Sequence, residues 1–152
     1  MKKILFISTR YPFPLFGGDK LRAFDILQFL SKKNQVDLVC LTNKKIIQNK
    51  NLSFCKNIKV FHVNFLIRII NIFLSFFKLE PLQTGYYLSE EMKNHINKVE
   101  SKYDTIICHH LRSSQYMPDK FKGIKILEKT DLLSLNYERS IKQLSLFNPL
   151  KY

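Results

Sequence analysis

The chain has 152 residues, of which 45% are hydrophobic and 24% are charged, and its formal net charge is +13. This length and apolar content suit one domain with its own core and exclude an intrinsically disordered chain. The positive charge indicates an anionic partner, such as nucleic acid, an anionic membrane or a phosphate-bearing ligand, or simply the lysine-rich composition typical of an AT-rich genome.

The first third of the chain predicts a strand, a helix and two further strands. Residues 4–8 form a short apolar run that is typical of a buried parallel strand. From Gly18 onward the apolar residues follow helical spacing and share one face: Ala23, Ile26, Leu27 and Leu30. Two more apolar segments, residues 35–42 and 57–63, predict the second and third strands.

Residues 64–78 are the most hydrophobic part of the chain and predict a helix. Its polar residues recur at alternating spacings of four and three and therefore form one narrow stripe: Asn64, Arg68, Asn71, Ser75 and Lys78. Residues 38–79 contain seven Lys or Arg and no Asp or Glu. An apolar helix in a basic stretch is typical of an anchor on an anionic membrane, and packing against the sheet or another domain is the alternative.

The second half of the chain continues the alternation of helices and strands. Ser89, followed by two glutamates, predicts the start of a helix. Residues 103–110 and 123–131 predict the fourth and fifth strands, and a last helix is expected from about residue 132. This order predicts an α/β fold with a mostly parallel, doubly wound sheet.

Three cysteines lie far apart in the sequence: Cys40, Cys55 and Cys108. Neither a CxxC motif nor Cys/His ligand spacing occurs, so we expect reduced cysteines, no metal site and a cytoplasmic protein. The apolar run at the amino terminus ends at Ser8 and is too short for a signal peptide. No run of about 18 uncharged apolar residues predicts a membrane-spanning helix.

Polar groups follow three of the predicted strands, at the sheet edge where parallel sheets bind ligands. They are Gly17-Gly18-Asp19, His109-His110 and Asp131. Glycines before a helix let a phosphate or a sugar hydroxyl approach free backbone amides. The pattern matches neither GxGxxG nor a Walker motif, so a tight turn with Asp19 as the helix cap is the alternative.

His110 and Arg112 are further candidates at the end of the fourth strand. A histidine there is a candidate catalytic residue, and an arginine close behind it is a candidate anion ligand. Ordinary roles in a solvated loop are the alternative for both residues. No Ser/His/Asp arrangement and no metal-ligand set follows from the spacing.

Three segments together resemble glycosyltransferase family 4, whose members have the GT-B fold. Residues 1–42 carry "RYPFPLFGGDKLRA", similar to the family's "YP-x-P…GG(D)-x-x-R" loop after the first strand. The segments "YDTIICHHLRSSQYM" and "KILEKTDLLSLNYERS" are similar to two later family motifs, although the second has Glu128 where an aspartate is more usual. Within the family, the chain is most similar to bacterial sugar transferases of polysaccharide clusters.

The resemblance implies one Rossmann-like, acceptor-side domain over residues 1–152, with a nucleotide sugar as donor and a glycan or lipid-linked molecule as acceptor. It implies that Gly17 and Gly18 lie near the donor diphosphate and the acceptor, and that His110 lies near the reacting sugar. We group Asp19 and Arg112 with the glycines as substrate- and phosphate-binding residues. No cofactor is expected.

Family members are usually more than twice as long, and the motifs of their donor-binding half are missing here. We therefore expect a fragment, or one subunit of a split enzyme, that is inactive without a separate donor-binding half. Peripheral contact with the inner face of the cell membrane, through residues 64–78, would suit a lipid-linked acceptor. The alternative is a basic α/β module that binds nucleic acid or phosphate, but the basic residues match no nucleic-acid-binding motif, so no nucleic acid is expected.

Overall fold

The computed structural model describes residues 1–42, 52–79 and 81–129. The sequence predictions for Asp131, for the last helix and for most of the third motif lie outside these described residues. The end of the predicted fifth strand, at residues 130 and 131, also lies outside them.

Five strands form one sheet in which every described pair is parallel. They are β1 (Lys3–Ser8), β2 (Gln35–Thr42), β3 (Asn57–His62), β4 (Thr105–His109) and β5 (Ile124–Glu128). The order β3-β2-β1-β4-β5 confirms the predicted parallel α/β sheet. Because the order reverses between β1 and β4, the crevice at their carboxyl ends is the expected ligand position.

Helices cover both faces of the sheet, as the doubly wound prediction requires. Helix α1 (Gly18–Ser31) buries Ala23 and Leu27 on one face, where they join a core with Phe6 of β1. Helix α1 lies between β1 and β2, and three further helices follow one another between β3 and β4: α2 (Phe65–Phe77), α3 (Leu82–Tyr86) and α4 (Glu90–Val99). Burying each large aliphatic side chain in such a core contributes about 1.5–3 kcal/mol.

The opposite face of the sheet is covered by α4. Its Met92 and Ile96 are fully buried and share a core with Leu5 and Ile7 of β1. The predicted start of this helix is confirmed, because the Ser89 side chain accepts a hydrogen bond from the Met92 backbone N–H at 3.3 Å. The three cysteines are buried and free.

Helix α2 is oriented with its polar stripe toward the protein and its apolar side outward. Arg68 and Ser75 are buried, whereas Phe73 and Phe76 are 62% and 65% exposed. Packing of the apolar side on the sheet, the alternative from the sequence, is therefore wrong for the described residues. No helix in the described ranges is long and apolar enough to cross a membrane.

Glycine 85 permits the close packing of α2 against α3. A Cβ atom at this position would lie 2.6 Å from the Asn71 carbonyl oxygen and would overlap the Ser75 hydroxyl. Because α3 also contacts residues 111–116, which follow the carboxyl end of β4, this packing places α2 near that edge of the sheet.

Candidate functional site

The double glycine forms the turn at which α1 begins. Gly17 has φ +95°, a left-handed conformation that favours glycine, and it occupies the N-cap position without a side-chain cap. The alternative in which Asp19 caps the helix is therefore wrong. A Cβ atom added to Gly18 would meet nothing within 4 Å, so Gly18 borders open space at the start of α1, where the first backbone amides of a helix lack intrahelical partners.

Asp19 joins two arginines at the edge of this space. Its Oδ2 atom accepts hydrogen bonds from Arg10 at 3.0 Å and from Arg112 at 3.1 Å. Burial alone would raise the pKa of the Asp19 carboxyl, but the two guanidinium groups outweigh it and lower that pKa below its ordinary value. The cluster has two cations for one carboxylate, so it retains excess positive charge that favours an anionic ligand.

Contacts with Thr9 and Tyr87 hold the two guanidinium groups in place. Arg112 donates from Nε to the Thr9 hydroxyl at 2.7 Å, and its guanidinium lies over the Tyr87 ring, 4.9 Å from the centroid. Arg10 donates to the Tyr87 hydroxyl from two of its nitrogens, at 3.0 and 3.2 Å. Tyr87 therefore fixes the orientation of both cations.

His110 lies directly after β4, with φ +70°, and its backbone N–H donates to the Glu128 carbonyl at 2.9 Å. This backbone conformation carries the side chain out of the sheet and into the crevice. The Nε2 atom is shielded from solvent and has no hydrogen-bond partner among the described residues. Burial, followed by the charges of His109 and Arg112, lowers the pKa of His110 to about 4, so its imidazole is neutral near pH 7.

We expect the His110 ring to titrate with a midpoint near 4, well below the ordinary histidine value of 6.5. The folded protein holds the neutral ring, so this group's contribution to stability is complete above pH 6.5 and falls as the pH drops toward 4. Two-dimensional NMR of the histidine ring signals, assigned with a His110→Asn variant, measures the midpoint. A midpoint at 6 or above would contradict the burial of this ring.

His109 is buried beneath the glycine turn and contacts both Asp19 and Glu128. Its ring is 2% exposed, and Nε2 donates to the Asp19 carbonyl at 3.0 Å. The other nitrogen, Nδ1, lies 2.7 Å from Glu128 Oε2, at ion-pair distance without an aligned hydrogen bond, and Arg22 donates to the second oxygen of Glu128 at 2.7 Å. This chain of contacts ties the glycine turn to the ends of β4 and β5.

Three potential metal ligands lie close together: His109, His110 and Glu128 each offer a ligand atom within 4.8 Å of the others. Histidine and glutamate are residue types that bind transition metals. Glu128 is already paired with Arg22, and the guanidinium of Arg112 adds positive charge beside His110. These cations oppose the binding of a metal cation, so we interpret the group as a charged network and derive no metal chemistry from it.

One open cleft of about 1320 Å³ lies along this edge of the sheet. Four of the five predicted site residues line it, namely Gly18, Asp19, His110 and Arg112. Gly17 is not part of the lining and supplies the turn behind it. The facing wall comes from residues 81–84 at α3, so the cleft lies between the start of α1, the end of β4 and α3.

Sequence reasoning did not single out Arg10, Tyr87 or the pairing of His109 with Glu128. Arg10 follows β1 by two residues, and its place at the carboxyl edge was a usable signal. Tyr87 is 77 residues away from Arg10 in sequence, and no local pattern indicates their contact.

Comparison with known proteins found a relative in Klebsiella pneumoniae, a 44.6 kDa protein of the cps (capsule polysaccharide) region that is itself described as uncharacterized. The two sequences are 29% identical over 153 aligned positions, which include 97% of this chain. The chain spans 37% of the length of that relative. No protein-family model and no solved structure matches the chain.

Proposed function

We propose that this chain is the acceptor-side half of a sugar transferase of the GT-B type, similar to glycosyltransferase family 4. The observation that carries the proposal is the cleft at the β1/β4 switch point, which is lined both by Gly18, at the start of α1, and by the neutral imidazole of His110. Hydrogen-bond donors and a neutral acid–base group in one crevice suit the transfer of a group that leaves as a phosphate.

Sugar transfer from a nucleotide sugar needs a stabilised diphosphate, an oriented acceptor hydroxyl and electrostatic support for a cationic sugar. The backbone amides at the start of α1, together with the positive end of the helix, suit an anionic oxygen. The excess positive charge of the Arg10–Asp19–Arg112 cluster acts in the same direction. These groups would share the diphosphate with the donor-binding half.

His110 suits the sugar or the attacking hydroxyl. The residue lines the cleft, and its Nε2 atom, although shielded from solvent here, has no hydrogen-bond partner among the described residues. In this proposal a rotation of the ring presents that nitrogen to the ligand, where it accepts a proton or donates a hydrogen bond, depending on the tautomer. Because the ring is neutral near pH 7, it adds no fixed charge that would repel a cationic transition state. In this proposal His110 is the catalytic residue and Asp19 positions Arg112.

The relative supports a role in polysaccharide synthesis, because it belongs to a capsule polysaccharide region and aligns with nearly the whole chain. The relative is much longer than this chain, which is consistent with a further, donor-binding domain in the complete enzyme. In this proposal the enzyme works in the cytoplasm, at the inner face of the membrane, and uses a glycan or lipid-linked acceptor.

The isolated chain should bind nucleotide sugars only weakly, because the main cationic clamp on the diphosphate lies in the other half of the proposed enzyme. We expect dissociation constants on the order of 1 mM or weaker in isothermal titration with a panel of uridine, guanosine and thymidine diphosphate sugars. Micromolar binding of any of them by this chain alone would contradict the half-enzyme proposal. Tight, salt-dependent binding of short DNA would instead favour the nucleic-acid alternative.

A further inference from the structure

Helix α2 exposes an unusually large apolar surface. Nine of its aromatic and aliphatic side chains are between 47% and 67% exposed, and we call them the α2 apolar face: Phe65, Leu66, Ile67, Ile69, Ile70, Phe73, Leu74, Phe76 and Phe77. A contiguous apolar surface of this kind is rare on the outside of a protein and marks a surface that contacts an apolar partner.

The outward orientation of this face is set by the polar stripe on the other side of α2. Arg68 is 5% exposed, donates to the Val63 carbonyl at 3.3 Å and lies over the Tyr86 ring, 4.7 Å from its centroid. Asn71 donates to the Leu88 carbonyl at 3.3 Å. If the apolar side turned inward, Arg68 and Asn71 would lose these partners. The close contact of α2 with Gly85 would also be lost.

The charge around α2 indicates the chemistry of the partner. Residues 38–79 carry seven Lys or Arg and no acidic residue, although the whole chain has 12 Asp or Glu. An apolar protein surface has no need of this charge, whereas an anionic lipid surface attracts each nearby basic residue by about 1 kcal/mol. Of these seven, Arg68 is buried on the inner side of α2, and Lys56, Lys59 and Lys78 are the exposed ones among the described residues. An exposed apolar face in such a basic part of the chain is the combination that binds helices in the plane of an anionic lipid surface.

We propose that α2 lies in the plane of an anionic lipid bilayer, with the α2 apolar face among the upper acyl chains. The contacts of α2 with α3 then hold the cleft close to the lipid headgroups, because α3 forms one wall of that cleft. This docking does not depend on sugar transfer. Its consequence, that the acceptor is carried on a lipid, does rest on the proposed function.

Co-sedimentation with vesicles tests the proposal. The chain should bind vesicles of phosphatidylcholine mixed with phosphatidylglycerol. It should bind vesicles of phosphatidylcholine alone much more weakly. Phe73→Ser with Phe76→Ser should lower the partition coefficient at least about tenfold, because two exposed aromatic side chains no longer enter the lipid. Phe29→Ser on α1, which is 69% exposed, is the matched control and should bind like the unchanged protein.

A second pair of variants tests the electrostatic part. Lys78→Glu, at the end of α2, should weaken binding to anionic vesicles, and Lys33→Glu, in the turn after α1, should change it much less. All substituted side chains are exposed, so circular dichroism should show an unchanged fold.

The proposal would be overturned if the Phe73→Ser, Phe76→Ser protein bound anionic vesicles as well as the unchanged protein does. It would also be overturned if the unchanged protein bound neutral and anionic vesicles equally well. Absence of vesicle binding, together with self-association that the double substitution removes, would show that a second copy covers this face and would also overturn it. Vesicle binding as expected, combined with no sugar transfer by the complete enzyme, would leave this docking in place and reject the proposed function alone.

Discussion

Gly18→Val should reduce sugar transfer by the complete enzyme by at least about 100-fold while leaving the fold intact. The space in front of Gly18 is empty of protein atoms for 4 Å around an added Cβ, so the substitution costs little in packing. The same space gives a ligand access to the amides at the start of α1, and an isopropyl group would fill it. Turnover and thermal denaturation of the variant measure the two effects separately.

The matched control for this variant is Gln28→Val, which adds the same β-branched residue to an exposed position of α1 away from the cleft. Valine at Gln28 lowers the helix propensity slightly, and the variant should keep full activity. Full activity of Gly18→Val would end the assignment of the glycine turn to the substrate site.

The second large effect is expected at His110, where replacement by Ala or Asn should lower kcat by about 10²–10⁴-fold. The backbone at this position combines φ +70° with ψ 154°, which strains any residue other than glycine, so histidine and asparagine bear a similar cost there. His110→Asn therefore separates the loss of the imidazole from backbone strain. Its melting temperature should stay close to that of the unchanged protein while its turnover falls.

A catalytic role for His110 also predicts which parameter changes. If the imidazole acts on the sugar or the acceptor hydroxyl, kcat falls and the KM for the donor changes little. A change in KM alone, with kcat retained, would show that His110 contributes to binding and would contradict its catalytic assignment.

The sheet and its site edge were predictable because parallel α/β folds are encoded locally. Short apolar runs and helical spacing alternate along the chain, and right-handed crossovers then leave few arrangements of the strands. The ends of β1 and β4 meet because both strands are parallel, so the glycine turn and His110 could be placed at one edge from their positions after those strands. The predicted strand 103–110 is shorter in the structure, where β4 covers Thr105–His109.

The side-chain network of the site could not be predicted because it depends on residues that are far apart in sequence. The Arg10–Tyr87 contact joins the loop after β1 to the end of α3, and the contact between His109 and Glu128 joins the ends of β4 and β5, so both form only in the folded chain. The contacts of Asp19 were also not predictable: local propensity favours a helix cap, which was the alternative, but two arginines from other segments bind the carboxylate. For α2, hydrophobic periodicity predicted the polar stripe and the apolar side, but it did not predict which of the two is buried.

The most direct test of a transferase half is reconstitution. The chain and a donor-binding half of a family 4 enzyme of the same cluster type are assayed singly and together for release of nucleoside diphosphate. The assay uses a panel of nucleotide sugars, with a bacterial lipid extract as acceptor. We predict release only when both halves are present, and its loss when the chain carries Gly18→Val. Release by the donor-binding half at the same rate with and without this chain, or with the Gly18→Val chain, would contradict the account.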